Sequence, residues 1–354
     1  MDDQIRARRA ACTDSVVGDG PVKPAELLST IDPEAAPDMY GDGGVVAELE
    51  RRVADLLGKP AAVFLPSGTM AQGATLRVHA DRRTTRTIVW HPACHVDRHE
   101  GQAYARLHDL VGRPVGALDR LLTVADLQSV SEPVAALLLE LPQRDLGGQQ
   151  PAWDDLVAQV AWAHDRGAAA HLDGARLWEA AAGYERPPGE VAALFDTVYV
   201  SFYKGIGALP GCCVAGSAED VAQVREWRQR LGGTLYALWP FASSALTLLS
   251  DRLAEMPHRL AHAREVATAV AAVPGIRIVP QVPQTPMMHL LFTTTADRFA
   301  ANARRLAEDT GMWVWPVAVP TGDPDVVRCE LSVGRATCRH SPQAVADILA
   351  ELLA

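Results

Sequence analysis

The chain has 354 residues and a mass of 38.0 kDa, and 48% of its residues are hydrophobic, which is enough for one large and one smaller folded domain. Its formal net charge of −10 and its pI near 5.6 argue against a nucleic-acid-binding surface, because no basic stripe offsets the acidic excess. We therefore expect no nucleic-acid partner.

The cysteines and the N-terminus bear on the compartment. The six cysteines show neither CxxC spacing nor metal-like clustering, which favours a reduced, cytoplasmic location. The first residues, MDDQIRARRAAC, lack the apolar core of a secretory signal, and no run approaches the roughly 20 apolar residues of a membrane span. We therefore expect a soluble protein that is not exported and has no membrane partner.

The first elements of the chain alternate turns with helical patterns. The Gly/Pro-punctuated segment GDGPVKPAELL leads into a short helix. Behind the glycine-rich turn in MYGDGG, Val46, Leu49 and Val53 recur at helical spacing and predict an amphipathic helix. The next segment, AAVFLPSGTMAQGATLRVHA, predicts a short buried strand, a turn and a second helix.

The turn in that segment, Ser67-Gly68-Thr69, is a candidate anion site. It offers free backbone N–H groups, two hydroxyls and the positive end of a helix dipole to an anion. The same residue types are also common in ordinary helix caps. We take these three residues as a phosphate cradle.

Two polar residues follow adjacent strands in the middle of the chain. The run VAALLLE predicts a buried strand, and an amphipathic helix follows it. Two further apolar runs, in AAAHLDGARLWEAA and DTVYVSFYKG, lead to Asp173 and Lys204. The 31 residues from Asp173 to Lys204 (204 − 173) leave room for a crossover helix, so a carboxylate and an amine are expected at the exits of two neighbouring parallel strands.

A carboxylate and an amine in this arrangement suit a cofactor with a basic ring nitrogen and an aldehyde. The carboxylate keeps the ring nitrogen protonated, and the lysine holds the aldehyde as a Schiff base. Asp173 and Lys204 therefore predict pyridoxal 5'-phosphate. The alternative is that Asp173 caps the helix starting at Ala175 and Lys204 is a solvated loop lysine. A metal centre is disfavoured, because His171 and Asp173 have no compact set of further ligands.

The C-terminal third changes pattern. From about Asp251 the sequence predicts a long helix, strands around GIRIVP and MMHLLF, another helix, a strand in VVRCELSVG and a closing helix. This mixed order predicts a small α+β domain packed with the N-terminal segment.

The elements HLDGAR and SFYKGIGA, in this order behind the Ser-Gly-Thr turn, resemble the threonine aldolase and β-eliminating lyase family of fold-type I pyridoxal-phosphate enzymes. The resemblance runs from GDGPVKP to the C-terminus. It implies an α/β fold like that of aspartate aminotransferase, with a mostly parallel central sheet in a large domain (residues 30–250) and a small α+β domain (residues 1–29 and 251–354). It also implies a homodimer or homotetramer with active sites at the subunit interface.

The resemblance assigns His95 to the face of the pyridine ring, where it stacks and serves as an acid or base beside the catalytic Lys204 and Asp173. A flat ring whose unperturbed pKa lies near neutrality suits both tasks. His91 and His108 are expected to be structural. His99 is an outside candidate, since four residues after His95 it shares a face if the segment is helical.

The resemblance also supplies contacts for substrate and cofactor. Arg176 resembles the family's carboxylate-binding arginine, whose planar fork suits a bidentate contact, and Arg328 or Arg335 is the second. Tyr40 lies in a segment, Tyr40-Gly41-Asp42, that resembles the family's entrance to the site. Ser201, three residues before the lysine, adds a hydroxyl near the phosphate or has a structural role.

Three positions depart from the family pattern near the expected site. Gly18 stands where a substrate-binding serine is usual. Gln143 replaces a histidine near the substrate hydroxyl, and an amide can hydrogen-bond a hydroxyl but cannot take its proton near neutral pH. Tyr236 stands where an arginine usually reaches the phosphate of a neighbouring subunit, so a phenol contact replaces a charge contact.

The implied reaction is cleavage of the Cα–Cβ bond of a β-hydroxy-α-amino acid, of the L-threonine or L-allo-threonine kind, to glycine and an aldehyde. The departures leave open β-elimination, an exchange of aldehydes of the transaldolase type, or a larger substrate. A non-catalytic pyridoxal-phosphate-binding module is the alternative from a different class. Lys204, Asp173 and His95 together argue against it, since a degenerate site has little reason to retain them.

Overall fold

The computed structural model describes residues 3–354, which divide into two compact units. The large unit contains Leu27–Asp145 and Gln150–Ala254. The small unit contains the residues up to Glu26, Leu146–Gln149 and Glu255–Ala354. The sequence-based domains, 30–250 and the remainder, stay a prediction, and they place Leu146–Gln149 with the large domain instead of the small one.

The strands of the described chain are short. They are β1 (Asp14–Ser15), β2 (Ala61–Leu65), β3 (Thr87–Trp90), β4 (Val111–Pro114), β5 (Ala136–Glu140), β6 (Ala169–Gly174), β7 (Thr197–Ser201), β8 (Cys212–Gly216), β9 (Ile276–Val279), β10 (Met287–Thr293), β11 (Met312–Trp313), β12 (Val319–Pro320) and β13 (Val326–Ser332).

The helices of the same residues alternate with the strands through the large unit. They are α1 (Asp3–Ala11), α2 (Pro24–Leu28), α3 (Gly44–Leu57), α4 (Gly68–Arg83), α5 (His95–Arg98), α6 (Ala103–His108), α7 (Val124–Gln128), α8 (Trp153–Asp165), α9 (Leu177–Tyr184), α10 (Pro188–Ala193), α11 (Ala218–Arg230), α12 (Trp239–Val270), α13 (Ala296–Thr310) and α14 (Pro342–Ala350). Across residues 3–354, no helix combines the length and the apolar character needed to span a membrane.

The large unit is built on a seven-stranded sheet in the order β2-β8-β7-β6-β5-β3-β4. Only β8 runs against its neighbours β2 and β7, and the pairs from β7 to β4 are all parallel. This mixed but mostly parallel sheet, with helices in its connections, confirms the predicted α/β fold class.

The apolar runs of the sequence form the inner strands of this sheet because strands covered on both faces need apolar residues on both sides. Every residue of β6, β7 and β8 is buried. Asp173 and His171 are therefore polar groups inside an otherwise apolar layer, where each needs a partner.

The carboxyl ends of the parallel strands meet at one edge of the sheet. Six strands point the same way: β2, β3, β4, β5, β6 and β7. They end at Leu65, Trp90, Pro114, Glu140, Gly174 and Ser201. Residues that are more than 100 positions apart in sequence therefore come together at this edge, which is the usual place for a ligand in an open α/β sheet.

The small unit has a four-stranded sheet in the order β12-β13-β10-β9, with antiparallel pairing throughout. In β13, Val327, Cys329 and Leu331 are buried in the core, and the residues between them are only partly buried. This alternation places Arg328 on the face of the strand opposite the core.

Helix α12 begins at Trp239, 12 residues (251 − 239) before the position that the sequence pattern indicates. The residue that caps this helix is distant in sequence. The Asp38 carboxylate accepts hydrogen bonds from the backbone N–H groups of Leu238 and Trp239, at 2.8 and 2.7 Å, and so caps the helix. No local signal in the residues around 239 reveals a cap supplied by residue 38.

Candidate functional site

The edge where the parallel strands end encloses a cavity of about 230 Å³ in the large unit. Six residues singled out from the sequence line it: Ser67, Gly68, Thr69, His95, Asp173 and Lys204. Six others share the lining: Pro66, Gln72, Glu100, Tyr199, Tyr203 and Pro210. The cavity thus joins the ends of strands β2, β6 and β7.

One wall of the cavity is the N-terminus of α4. Ser67 is the N-cap residue, with extended backbone angles (φ −142°, ψ 136°), and its side chain makes no capping hydrogen bond. The first N–H groups of a helix have no partner within the helix, so this end remains suited to an anion. Gly68 follows, and a side chain there would collide with the Tyr199 hydroxyl, which packs against the turn.

Asp173 and Lys204 lie in the same cavity, and each shifts the pKa of the other. Burial raises the pKa of Asp173, and the positive charge of Lys204 and the N–H of Ala175 oppose the rise; that N–H donates to Oδ1 at 3.1 Å. Burial lowers the pKa of Lys204, and Asp173 opposes the fall. A lowered amine pKa makes Lys204 a better nucleophile toward a carbonyl carbon.

Glu140, at the end of β5, is paired in register with Asp173 on β6. Burial, followed by the neighbouring Asp173 carboxylate, raises the pKa of Glu140. Its oxygens accept hydrogen bonds from the backbone N–H groups of His95 (3.1 Å) and Arg144 (3.2 Å). Glu140 therefore fixes the start of α5, which carries His95.

His95 is half-buried at the cavity. Burial, followed by the positive charge of Lys204, lowers the pKa of His95 to about 4, so its ring is neutral near neutral pH. Its ring lies 4.9 Å from the ring of His99, and His99 Nε2 is 3.3 Å from an oxygen of Asp145. His95 is thus placed as a neutral proton acceptor at the start of α5, and His99 is the C-cap residue of the same helix.

Gln143, which is predicted to contact the substrate hydroxyl, lies outside the lining of this cavity. Gln143 is buried, and its Nε2 donates to the Ala93 carbonyl (3.1 Å) and to Glu140 (3.0 Å), so both amide hydrogens have protein partners. It lines a separate small cavity beneath Glu140. Its proposed contact with the substrate hydroxyl stays a prediction.

Tyr40 and Tyr236 lie together on the surface of the large unit. Their rings meet edge to face at 5.3 Å, the Tyr40 N–H donates to the Tyr236 carbonyl, and both side chains are more than half exposed (55% and 65%). Tyr40 lines a cavity with Arg225 and Arg228, which shares no lining residue with the cavity around Lys204.

Four other residues are predicted from the sequence to contact substrate or cofactor: Arg176, Ser201, Arg328 and Arg335. Arg176 is the N-cap residue of α9, three residues after Asp173. Ser201 is fully buried, and Trp178 Nε1 donates to its carbonyl at 3.3 Å. Arg328 and Arg335 belong to the small unit, where the Arg335 backbone N–H donates to Asp19 at 2.8 Å.

Sequence reasoning did not single out Glu100 and Gln72, which line the cavity. Burial, followed by the charge of Asp173, raises the pKa of Glu100 to about 7, and a hydrogen bond from the Thr69 hydroxyl opposes the rise. Glu100 stands in a run of histidines and turn residues, HVDRHEGQA, that has no clear period. Its position beside Thr69 follows from tertiary packing alone.

A model of the beta-eliminating lyase family matches residues 33–293, well over half of the chain. The chain belongs to this family. Residues 33–293 include the Ser67 turn, His95, Asp173 and Lys204, so the cavity lies within the matched region.

Similar proteins cover nearly the whole chain. A solved structure from Exiguobacterium sp. 255-15, provisionally named an aromatic amino acid beta-eliminating lyase/threonine aldolase, is 35% identical, with a TM-score of 0.92 and 99% coverage of both chains. One from Listeria monocytogenes EGD-E, provisionally named an L-allo-threonine aldolase, is also 35% identical, with a TM-score of 0.92 and coverage of 99% and 98%. An Arabidopsis thaliana relative, named probable low-specificity L-threonine aldolase 2, is 27% identical over 84% of this chain and 86% of that protein.

As a member of the beta-eliminating lyase family, the protein is a lyase that depends on pyridoxal phosphate. The residues of the cavity fit this cofactor. The uncapped N-terminus of α4 suits the phosphate, the Lys204 amine suits the aldehyde, and the buried Asp173 carboxylate suits a protonated ring nitrogen. The flat, neutral ring of His95 is available to stack on the pyridine.

The assignment of Lys204 is open to a direct spectroscopic test, because the chain has only three lysines, Lys23, Lys59 and Lys204. We expect the Lys204→Ala variant to lose the long-wavelength absorbance of bound pyridoxal phosphate, since no other amine of residues 3–354 lines the cavity. Lys23→Ala and Lys59→Ala serve as matched controls and should keep the absorbance. An unchanged spectrum in Lys204→Ala would refute the assignment.

Glu100 should make the stability of the apoprotein depend on pH. Because its folded-state pKa is raised from 4.5 to about 7, its contribution to the free energy of unfolding is present below 4.5 and is lost as pH rises through 7. Glu100→Gln, which does not ionise, should lose less stability than the unaltered protein between about pH 5 and about pH 8 in denaturant titrations. Glu48→Gln, on the exposed face of α3, should follow the unaltered protein. Equal slopes for all three proteins would contradict the assignment.

Proposed function

We propose that the protein cleaves the Cα–Cβ bond of a β-hydroxy-α-amino acid and releases glycine and an aldehyde. The observation that carries this proposal is a neutral His95 in the same cavity as Lys204 and Asp173. Such a cleavage needs a base at the β-hydroxyl as well as an electron sink at Cα. The similar proteins named as threonine aldolases support the same reaction.

The cofactor supplies the chemistry that amino-acid side chains lack: when bound, it accepts the electron pair released at Cα. His95 takes the proton of the substrate β-hydroxyl at a ring nitrogen. Its pKa of about 4 leaves that nitrogen unprotonated at neutral pH, so it is ready to accept. The partial burial of the cavity strengthens each charge interaction within it.

Asp173 and Lys204 have separate tasks in this proposal. Asp173 is fixed in β6 with its Oδ1 held by the Ala175 N–H, and its carboxylate would keep a ring nitrogen of the cofactor protonated. The Lys204 amine would hold the cofactor through its aldehyde in the absence of substrate.

The carboxylate of the substrate needs a cationic partner. We propose Arg176, which follows Asp173 closely in the chain. The second arginine stays a sequence-based choice between Arg328 and Arg335. A planar guanidinium binds a carboxylate with two parallel hydrogen bonds and so orients the Cα substituents. The orientation of the Cα–Cβ bond decides which bond breaks.

Local geometry constrains two of the positions that depart from the family pattern, Gly18 and Gln143. Gly18 has φ of +57°, in the left-handed region that favours glycine, so a serine at this position would be strained. Gln143 uses both amide hydrogens on protein acceptors. With no serine at 18 and with both amide hydrogens of Gln143 on protein acceptors, we propose that His95 alone takes the proton of the β-hydroxyl.

We also propose that the protein is a homodimer or homotetramer. An exposed apolar patch on the large unit comprises Met39, Tyr40, Leu235 and Tyr236, each at least 43% exposed. Large exposed aromatic side chains grouped in this way are typical of protein–protein interfaces.

The six cysteines are free thiols, which supports a cytoplasmic location.

β-Elimination is the second candidate, because the family name describes that reaction and His95 is also placed to take other protons. Product analysis separates the candidates. The purified protein is mixed with L-threonine, L-allo-threonine or β-phenylserine, and glycine plus aldehyde is assayed against keto acid plus ammonia. We expect glycine and aldehyde in equal amounts from at least one of the three. Keto acid and ammonia without glycine would reject the proposal, and no turnover of any amino acid by a protein that holds its cofactor would favour a binding module.

His95 should be needed for the reaction and not for cofactor capture. Because general-base catalysis contributes a factor of about 10² to 10⁴, we expect His95→Asn to lower kcat for glycine formation by that much while retaining the absorbance of the bound cofactor. His99→Asn changes the neighbouring ring, which does not line the cavity, and should have a much smaller effect. An unaltered kcat in His95→Asn would remove this residue from the role of base.

A further inference from the structure

A chain of buried polar side chains runs from the cavity into the core of the large unit. His171 Nε2 lies 2.7 Å from Gln72 Oε1, and His171 Nδ1 lies 2.8 Å from Thr197 Oγ1. His79 Nε2 lies 2.8 Å from the same Thr197 oxygen. All four side chains are at most 2% exposed, so their orientations are set by one another and not by water.

The hydrogen-bond directions along this chain follow from its chemistry. The carbonyl oxygen of Gln72 only accepts, so His171 Nε2 carries the proton and donates to it. His171 Nδ1 then accepts from the Thr197 hydroxyl, whose oxygen in turn accepts from His79 Nε2. Burial lowers the pKa of His171 to about 3, so this neutral tautomer persists at working pH.

This arrangement leaves the amide nitrogen of Gln72 directed away from His171. Gln72 lines the cavity, and within residues 3–354 its Nε2 has no hydrogen-bond acceptor. A polar side chain that is 99% buried and has two unused N–H groups at a cavity is suited to a ligand atom that accepts hydrogen bonds.

We propose that Gln72 is a cofactor-binding residue that donates a hydrogen bond from Nε2 to an oxygen of the cofactor phosphate, with His171, Thr197 and His79 as positioning residues that hold the amide in that orientation. The side chain of a helical residue leans toward the N-terminus of its helix and lies beside the residue four positions earlier. For Gln72 that residue is Gly68, in the turn that we assign to the phosphate. The inference therefore rests on the proposed phosphate cradle.

The test compares two aldehydes that differ only in the phosphate group. Dissociation constants of pyridoxal phosphate and of pyridoxal are measured on the apoprotein by absorbance titration. Gln72→Met preserves the length of the side chain and removes the donor. A hydrogen bond to a charged group corresponds to a factor of about 10 to 100 in affinity, so we expect that loss for pyridoxal phosphate and little change for pyridoxal.

Gln159→Met is the matched control. Gln159 is equally buried (2% exposed), donates to the Leu122 carbonyl at 2.6 Å and does not line the cavity. Its replacement should lower stability without changing the preference for pyridoxal phosphate over pyridoxal. If Gln72→Met does not fold, Gln72→Glu replaces it, because one carboxylate oxygen can still accept from His171; it should lose pyridoxal phosphate and keep pyridoxal.

The outcomes separate this inference from the assignment on which it rests. If the unaltered protein does not prefer pyridoxal phosphate over pyridoxal, the cradle is wrong. If it does, and Gln72→Met weakens both aldehydes equally or neither, the cradle stands and the role of Gln72 is overturned. A nitrogen-15 spectrum that places the His171 proton on Nδ1 would overturn the positioning chain.

Discussion

The structure depends on one constraint: six strands of the central sheet run in the same direction and end at the same edge. Their apolar bodies are buried on both faces, so polar groups concentrate where the strands stop. Asp173 is the most buried carboxylate of this edge, and the positive charge of Lys204 opposes the burial penalty on its ionised form. A buried carboxylate without such a partner would destabilise the fold, and the same pairing prepares the cavity for a cationic ring and an aldehyde.

The ionisable side chains of the cavity differ in the direction in which their surroundings shift their pKa values. Burial raises the pKa values of Glu100, Glu140 and Asp173, and the charge of Asp173 adds to the rise at Glu100 and Glu140, whereas burial lowers the pKa values of Lys204 and His95. The site therefore favours neutral side chains over charged ones before it meets a ligand. Separated protonation tendencies of this kind are typical of sites that move protons, and they allow His95 to accept a proton at a pH where a solvated histidine is partly charged.

Much of this site could be predicted from the sequence because its principal residues directly follow strands. Asp173, Lys204 and the Ser67 turn each stand at the end of an apolar run, and a parallel sheet must bring such ends together. Gln72 and Glu100 could not be found in this way, since one lies inside a helix and the other in an aperiodic turn. The start of α12 was hidden for a related reason: its cap is Asp38, 200 residues earlier in the chain. Contacts between segments that are distant in sequence produce no local periodicity, so the sequence pattern does not predict them.

In our proposal Lys204, and no other amine of the chain, holds the cofactor. Borohydride reduction of the protein with bound pyridoxal phosphate, followed by proteolysis and mass spectrometry, tests it most directly because only three lysines compete. We expect a single phosphopyridoxyl group on the peptide that contains Lys204. A label on Lys23 or Lys59, with the Lys204 peptide unmodified, would contradict it.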